Sequence, residues 1–156
     1  MSANGRIPVL QAGDDYLPES GAACVYLAYG SALIPHDRFD HADMLRWMFW
    51  EQYNHEPNIA TLRFWRAFIG EANLSAAQRA ALPAKEAAGH DALALMDAHL
   101  ARTDWFAAGR FTLADIALYA YTHVAGEGGF DLSRYPAVEA WLARVAALPR
   151  HVAMGA

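Results

Sequence analysis

Apolar residues recur at helical spacing along the chain from residue 40 onward. Four segments show this pattern, at 40–69, 75–103, 111–126 and 135–148. Such spacing gathers the apolar side chains on a stripe that packs against neighbouring helices. In the last three segments the stripes are Leu93, Met96 and Leu100, then Leu113, Ile116, Ala117, Ala120 and Val124, then Val138, Trp141, Leu142, Val145 and Leu148. The pattern predicts a helical bundle.

The first of these segments is unusually rich in aromatic residues, and its apolar positions cover more than one face. We therefore expect it to pack on two sides. Pro57 lies within it, and a proline removes a backbone donor and crowds the carbonyl four residues earlier. A kink or break is expected there, and Pro83 could interrupt the second helix in the same way.

The N-terminal residues show a different pattern. Residues 7–17 combine two short apolar stretches with the turn sequence "AGDD", which predicts a β-hairpin. Residues 21–30, "GAACVYLAYG", predict a short helix that ends at Gly30. Residues 30–39, "GSALIPHDRF", have the glycine, serine and proline content of a linker. A ββα piece is thus expected ahead of the bundle.

Composition narrows the range of partners and locations. The 156 residues carry a net charge of −5 and a single lysine, so no basic stripe is available for nucleic acid. No run of about 18 apolar residues is present, and the N-terminus lacks the pattern of a secretory signal. Cys24 is the only cysteine and cannot form an internal disulfide. These features predict a cytoplasmic protein without a membrane or nucleic-acid partner.

The clearest local motif is "TLAD" at residues 112–115. Thr112 and Asp115 have the spacing of a capping box, in which each side chain bonds the backbone N–H of the other residue. We interpret the motif as the structural start of a buried helix. Seven histidines show no metal-ligand spacing, so no metal is expected.

Taken together, "GRIPVL", "YLPES", "FTLADIALYAY" and "YPAVEAWLARV" resemble the cytosolic glutathione S-transferase family of the bacterial type. The resemblance implies a mainly α fold, in which the C-terminal helical bundle follows a residual ββα piece of a thioredoxin-like domain. It divides the chain into a partial glutathione-binding segment at 1–30, a linker at 31–39 and the helical domain at 40–156. The chain is accordingly expected to be truncated at its N-terminus, within the thioredoxin-like domain.

The resemblance also implies site residues. Ile7 and Pro8 match the family's cis dipeptide, whose backbone pairs with the cysteinyl part of glutathione. Glu19 and Ser20 match the pair that holds the γ-glutamyl end of that ligand. The catalytic Tyr, Ser or Cys of the family would precede this chain, so the catalytic residue stays unknown. Cys24 lies on the wrong element to replace it.

A second-substrate pocket would be lined by the long aromatic helix. Trp50, Tyr53 and His55 are the candidates, because a tyrosine hydroxyl can donate a hydrogen bond and a histidine side chain can serve as an acid or base near neutral pH. They could equally be ordinary surface or interface groups.

The expected function is therefore that of a glutathione S-transferase-like protein, whose parent reaction joins the glutathione thiolate to a hydrophobic electrophile. A homodimer is expected, since the family's dimer interface uses the matching helix. Two alternatives stay open: a non-catalytic binding or assembly module, and an incomplete product without independent function. The exposed sheet edge could be tolerated, paired with a second copy, or completed by another polypeptide.

Overall fold

The protein is described by a computed structural model that covers residue 5 and residues 7–154. Two strands, β1 (Val9–Ala12) and β2 (Asp15–Pro18), form an antiparallel hairpin in which Leu10 faces Leu17. Gly13 takes a φ of 64° at the turn, a conformation that costs a glycine little. The predicted hairpin is confirmed, starting two residues later and ending one residue later than expected.

Helix α1 (Ser20–Leu27) follows the hairpin directly and ends three residues before Gly30. Residues 28–37 then lead to the bundle. This segment is tied to the bundle, because the Leu33 carbonyl accepts the Leu113 N–H at 3.2 Å and the Ala32 carbonyl accepts the Arg110 guanidinium.

One nearly unbroken helical rod forms the long aromatic segment. It runs through α2 (Arg38–Trp50), a π-helical turn at Glu51–His55, α3 (Glu56–Arg63) and a second π-helical stretch at Phe64–Ile69. In the first π turn the Glu56 N–H donates to the Glu51 carbonyl, five residues back. A π-helical turn holds one residue more than an α-helical turn, and this turn lies directly before Pro57. The helical rod therefore continues through the position where a kink or break was expected.

Helices α4 (Ala76–Leu100), α5 (Leu113–Thr122) and α6 (Pro136–Ala146) complete the bundle. Short 3₁₀ turns lie at Glu71–Asn73, Ala125–Gly128 and Leu132–Arg134. Pro83 lies inside α4 without interrupting it. A reciprocal capping box fixes the start of this helix. The Ser75 hydroxyl accepts the Gln78 N–H, and the Gln78 side-chain oxygen accepts the Ser75 N–H.

The core lies between these helices. Its most buried large residues are Met44, Ile59, Leu62, Leu93, Met96, Phe106, Leu118, Val138 and Trp141. The stripes expected for α4 and α6 are confirmed, although Leu142 and Leu148 are only half-buried.

The stripe expected for α5 is wrong in part. Ile116 and Ala117 are half-buried and Ala120 is exposed, whereas Ala114 and Leu118 are fully buried. The helix packs against both α2 and α3, so its buried face differs from the one that a single-sided amphipathic pattern indicates. Over the described residues, no helix is long and apolar enough to cross a membrane.

Candidate functional site

The first two site residues precede β1 at the open end of the hairpin. The peptide bond between Ile7 and Pro8 is cis, as the resemblance implied. The Ile7 side chain is 92% exposed. Its backbone therefore lies at the surface, beside the start of a strand.

The second pair lies where β2 passes into α1. Glu19 has a φ of 73°, which is uncommon for a residue with a side chain. Such conformations cost of order 1–3 kcal/mol and cluster at ligand-binding positions. Ser20 is the first residue of α1, and the Glu19 side chain accepts no hydrogen bond from the first turn of that helix. Backbone N–H groups at this end favour an anion, and no cap from Glu19 occupies them.

A groove opens beside Glu19, between α1 and α2. Its cavity volume is about 1020 Å³, and apart from Glu19 and Gln52 its lining residues are apolar or aromatic. These are Gly21, Ala22, Val25, Tyr26, Tyr29, Leu45, Met48 and Phe49. A groove lined mainly by apolar and aromatic side chains can hold a small molecule or the apolar surface of another protein.

The three candidates for a second-substrate pocket are not brought together. Trp50 and Tyr53 line a cavity of about 250 Å³ against α4, where Tyr53 is 84% exposed. His55 is fully buried and does not line that cavity. His55 therefore does not share a cavity with the other two, since its ring is buried inside the bundle.

His55 belongs to a buried polar group. The Thr122 hydroxyl donates to the Leu118 carbonyl at 2.6 Å, so its oxygen accepts from His55 Nε2 at 2.9 Å. That contact places a proton on Nε2. His55 Nδ1 lies 3.9 Å from Glu51 Oε1 and has no hydrogen-bond partner among the described residues. The group joins the π-helical turn to α5.

Asp115 is the polar centre of the bundle. Its Oδ2 accepts the Thr112 N–H at 2.9 Å and the Thr112 hydroxyl at 3.1 Å. Its Oδ1 accepts the Phe106 N–H at 3.2 Å and the Trp141 indole N–H at 3.0 Å. Burial raises the pKa of this carboxyl, and the four donors offset the rise only in part. The capping box is confirmed, and its links to Phe106 and Trp141 were not expected from the sequence.

Comparison with known proteins decides the family. The profile described as "Glutathione S-transferase, C-terminal domain" matches residues 49–149. The chain belongs to the glutathione S-transferase family.

Relatives of this transferase family member match it over most of its length. A glutathione S-transferase from Pseudomonas fluorescens is 45% identical, with a TM-score of 0.91 over 98% of this chain and 75% of its own. A theta class enzyme from Xanthomonas axonopodis pv. citri, solved with glutathione bound, is 30% identical, with a TM-score of 0.82 over 94% and 70%. Glutathione S-transferase 3 of Zea mays is 32% identical over 93% of this chain and 68% of its own.

In the glutathione S-transferase family the reacting thiol belongs to glutathione. A reactive thiol or a metal ion held by the protein itself would add to that chemistry. Cys24 is half-buried on α1, and burial raises the pKa of its thiol, which disfavours the thiolate nucleophile. No group of three or more potential metal ligands occurs among the described residues.

Proposed function

We propose that this transferase family member binds glutathione at the junction of β2 and α1. The free N–H groups of the first turn and the Ser20 hydroxyl would hold the γ-glutamyl carboxylate. Glu19 would accept the ligand's ammonium group, and the Ile7–Pro8 backbone would pair with the cysteinyl part. The observation that carries the proposal is the positive φ of Glu19 directly before Ser20, at a helix start that the Glu19 side chain does not cap.

The proposed reaction is attack of the glutathione thiolate on a hydrophobic electrophile. A carbon–sulfur bond forms, and the electrophile loses a leaving group or takes up a proton. A free thiol with a pKa near 8.5 is mostly protonated at neutral pH, so a group that stabilises the thiolate accelerates the step. The raised pKa of Cys24 argues against that residue, and we assign no described residue to the role.

We further propose that the electrophile binds against the long helical rod, with Trp50 and Tyr53 kept as candidate contacts. The apolar groove beside Glu19 and the exposed rings of Tyr29 and Phe49 support self-association into a homodimer. The division into a glutathione-binding segment at 1–30, a linker at 31–39 and a helical domain at 40–156 stays a prediction, as does a cytoplasmic location.

Calorimetric titration with glutathione tests the proposal. We expect saturable heat from the wild type, and at least a tenfold loss of affinity in Ser20→Ala. The matched control is Ser133→Ala, which removes an exposed serine hydroxyl between α5 and α6 and should titrate like the wild type. Absence of heat from a folded wild-type sample, or equal heat from Ser20→Ala, would contradict this site.

The second candidate function is a non-catalytic binding or assembly module. The large apolar groove between α1 and α2 favours it, because a surface of this kind is suited to a protein partner. Conjugation above the spontaneous thiol reaction, lost in Ser20→Ala, supports the enzyme. Glutathione binding without such turnover, or no binding at all, supports the module.

A further inference from the structure

The outer edge of β1 has no strand beside it among the described residues. The sheet there consists of β1 and β2 alone, and each of the two strands pairs only with the other. A two-stranded hairpin is at best marginally stable in water, so a further strand at either edge would stabilise it. The two edges of the hairpin are therefore the places where another extended chain can add.

The register of the hairpin fixes which backbone groups point outward. Gly13 and Asp14 form a two-residue turn, and Ala12 pairs with Asp15 directly beside it. In such a hairpin the pair next to the turn exchanges both of its backbone hydrogen bonds, and non-hydrogen-bonded and hydrogen-bonded pairs alternate from there. The N–H and C=O groups of every second residue consequently point away from the hairpin.

On β1 the outward groups belong to Val9 and Gln11, which lie opposite Pro18 and Tyr16. Pro18 agrees with this assignment, because a proline has no N–H to donate in a hydrogen-bonded pair. No described backbone group outside the hairpin is hydrogen-bonded to Val9 or Gln11. The edge of β1 thus presents two donors and two acceptors that a second strand would satisfy.

The two edges differ in how well they resist pairing. Natural edge strands are protected by charged side chains and by prolines, which hinder the approach of another strand. The strand β2 has both, with Asp15 and Pro18. The strand β1, with the sequence VLQA, has neither. The edge of β1 is therefore the one that is open to a further strand.

This edge is also complementary to itself. If two copies pair antiparallel about a twofold axis at Leu10, Val9 of each copy lies opposite Gln11 of the other. Both pairs then exchange both of their backbone hydrogen bonds. The two Leu10 side chains form an apolar cross-strand pair at the axis, and the uncharged strands do not repel each other.

We propose that two copies of the protein associate through the outer edges of their β1 strands and form a single antiparallel sheet. The strand order is β2 and β1 of one copy, followed by β1 and β2 of the other. The contact between two short strands buries little area, so the association is weak and depends on protein concentration. It involves neither the groove between α1 and α2 nor bound glutathione, so its test is separate from that of the glutathione site.

Sedimentation velocity of the wild type over about a hundredfold range of concentration measures the association. We expect a reversible shift from monomer to dimer. Gln11→Pro should weaken dimerisation at least about tenfold, because each dimer loses two outward hydrogen bonds while the hairpin keeps its own. The matched control is Tyr16→Pro, which places the same residue directly opposite, on the outer edge of β2, and should associate like the wild type.

Amide hydrogen exchange, measured by NMR at low and high protein concentration, locates the contact. The N–H groups of Val9 and Gln11 should exchange more slowly at high concentration. Those of Leu10 and Ala12 should change little, because they already donate to β2. Gln11→Lys keeps the backbone donor but adds a positive charge to each copy near the axis, so it should weaken dimerisation more at low salt than at high salt.

The NMR spectra also report whether each variant is folded. A monomer at every concentration, or equal dimerisation of wild type and folded Gln11→Pro, would overturn the proposal. Slower exchange confined to residues 21–29 and 45–52 would place the contact in the groove between α1 and α2 and would overturn it as well. If Gln11→Pro does not fold, Gln11→Lys decides, and dimerisation equal to that of the wild type at low salt would contradict pairing at this edge.

Discussion

The indole N–H of Trp141 donates to Asp115 Oδ1 at 3.0 Å, in the fully buried centre of the helical bundle. This one hydrogen bond joins the first turn of α5 to the middle of α6, 26 residues later in the chain. The Phe106 N–H reaches the same carboxylate oxygen, so the loop before α5 is fixed to it as well. The carboxylate that caps α5 therefore also joins that helix to α6 and to the loop that precedes α5.

Asp115→Asn is predicted to lower the free energy of unfolding by about 3 kcal/mol at neutral pH. The amide NH₂ would face donors where the native carboxylate accepts hydrogen bonds, and buried groups would lose their partners. Urea unfolding of both proteins, followed by circular dichroism, measures the loss. A change below about 1 kcal/mol would show that the carboxylate is dispensable.

The pH dependence of that difference has a definite sign. The folded-state pKa of Asp115 is raised above its unfolded value of about 3.9, so the folded protein holds this proton more tightly. The stability that binding of this proton contributes is fully present below the pKa of Asp115 in the unfolded state. It is lost as the pH rises through the pKa in the folded state. The gap between wild type and Asp115→Asn should therefore widen as the pH falls through the folded-state pKa of Asp115 towards the unfolded value of about 3.9. A gap that narrows on acidification would contradict the raised pKa.

His99 is predicted to make the fold sensitive to mild acid. Its ring stacks on Phe106 at 5.5 Å and lies 4.8 Å from the Trp47 ring, and burial, with a smaller effect of Arg46, lowers its pKa. The stability that this group contributes is present above the unfolded value of about 6.5 and is lost as the pH falls through the folded-state pKa.

Urea unfolding at about pH 7.5 and about pH 5.5 should show the wild type losing stability on acidification, and His99→Gln losing less. The control His36→Gln alters an exposed histidine and should follow the wild type. If His99→Gln keeps the full pH dependence, another group is responsible.

Gly89→Ala is predicted to destabilise the protein, although alanine is the better helix former. A Cβ at this position of α4 would lie 2.6 Å from Phe130 Cε1, and the Phe130 ring is itself buried. We expect a loss of about 2 kcal/mol from overpacking, which exceeds the gain in helix propensity of about 1 kcal/mol. Thermal or urea unfolding measures it.

The matched control is Gly126→Ala, where an added Cβ meets nothing within 4 Å. In the background Phe130→Leu, the cost of Gly89→Ala should fall, because the smaller side chain leaves room. An unchanged cost in that background would place the conflict elsewhere.

The helices of this domain follow from local physics. The stripes of α4 and α6 were predictable because each of these helices buries one main face, and the caps at Thr112 and Asp115 involve residues three apart. The stripe of α5 was misjudged, since that helix is packed on more than one side and its apolar pattern does not single out Ala114 and Leu118. A kink or break was predicted at Pro57. The periodicity of apolar residues could not show that a π-helical turn at Glu51–His55 would let the helical rod continue past this proline.

The sequence by itself determined where the chain is helical, where the hairpin turns and where the helices are capped. Those features depend on residues within a few positions of one another. Only the tertiary structure decided that His55 meets Thr122, 67 residues away, and that Trp141 completes the Asp115 site. It also decided that Phe64, Phe68 and Tyr121 share one pocket. Contacts between distant segments depend on how helices rotate and pack, and no local pattern encodes that rotation.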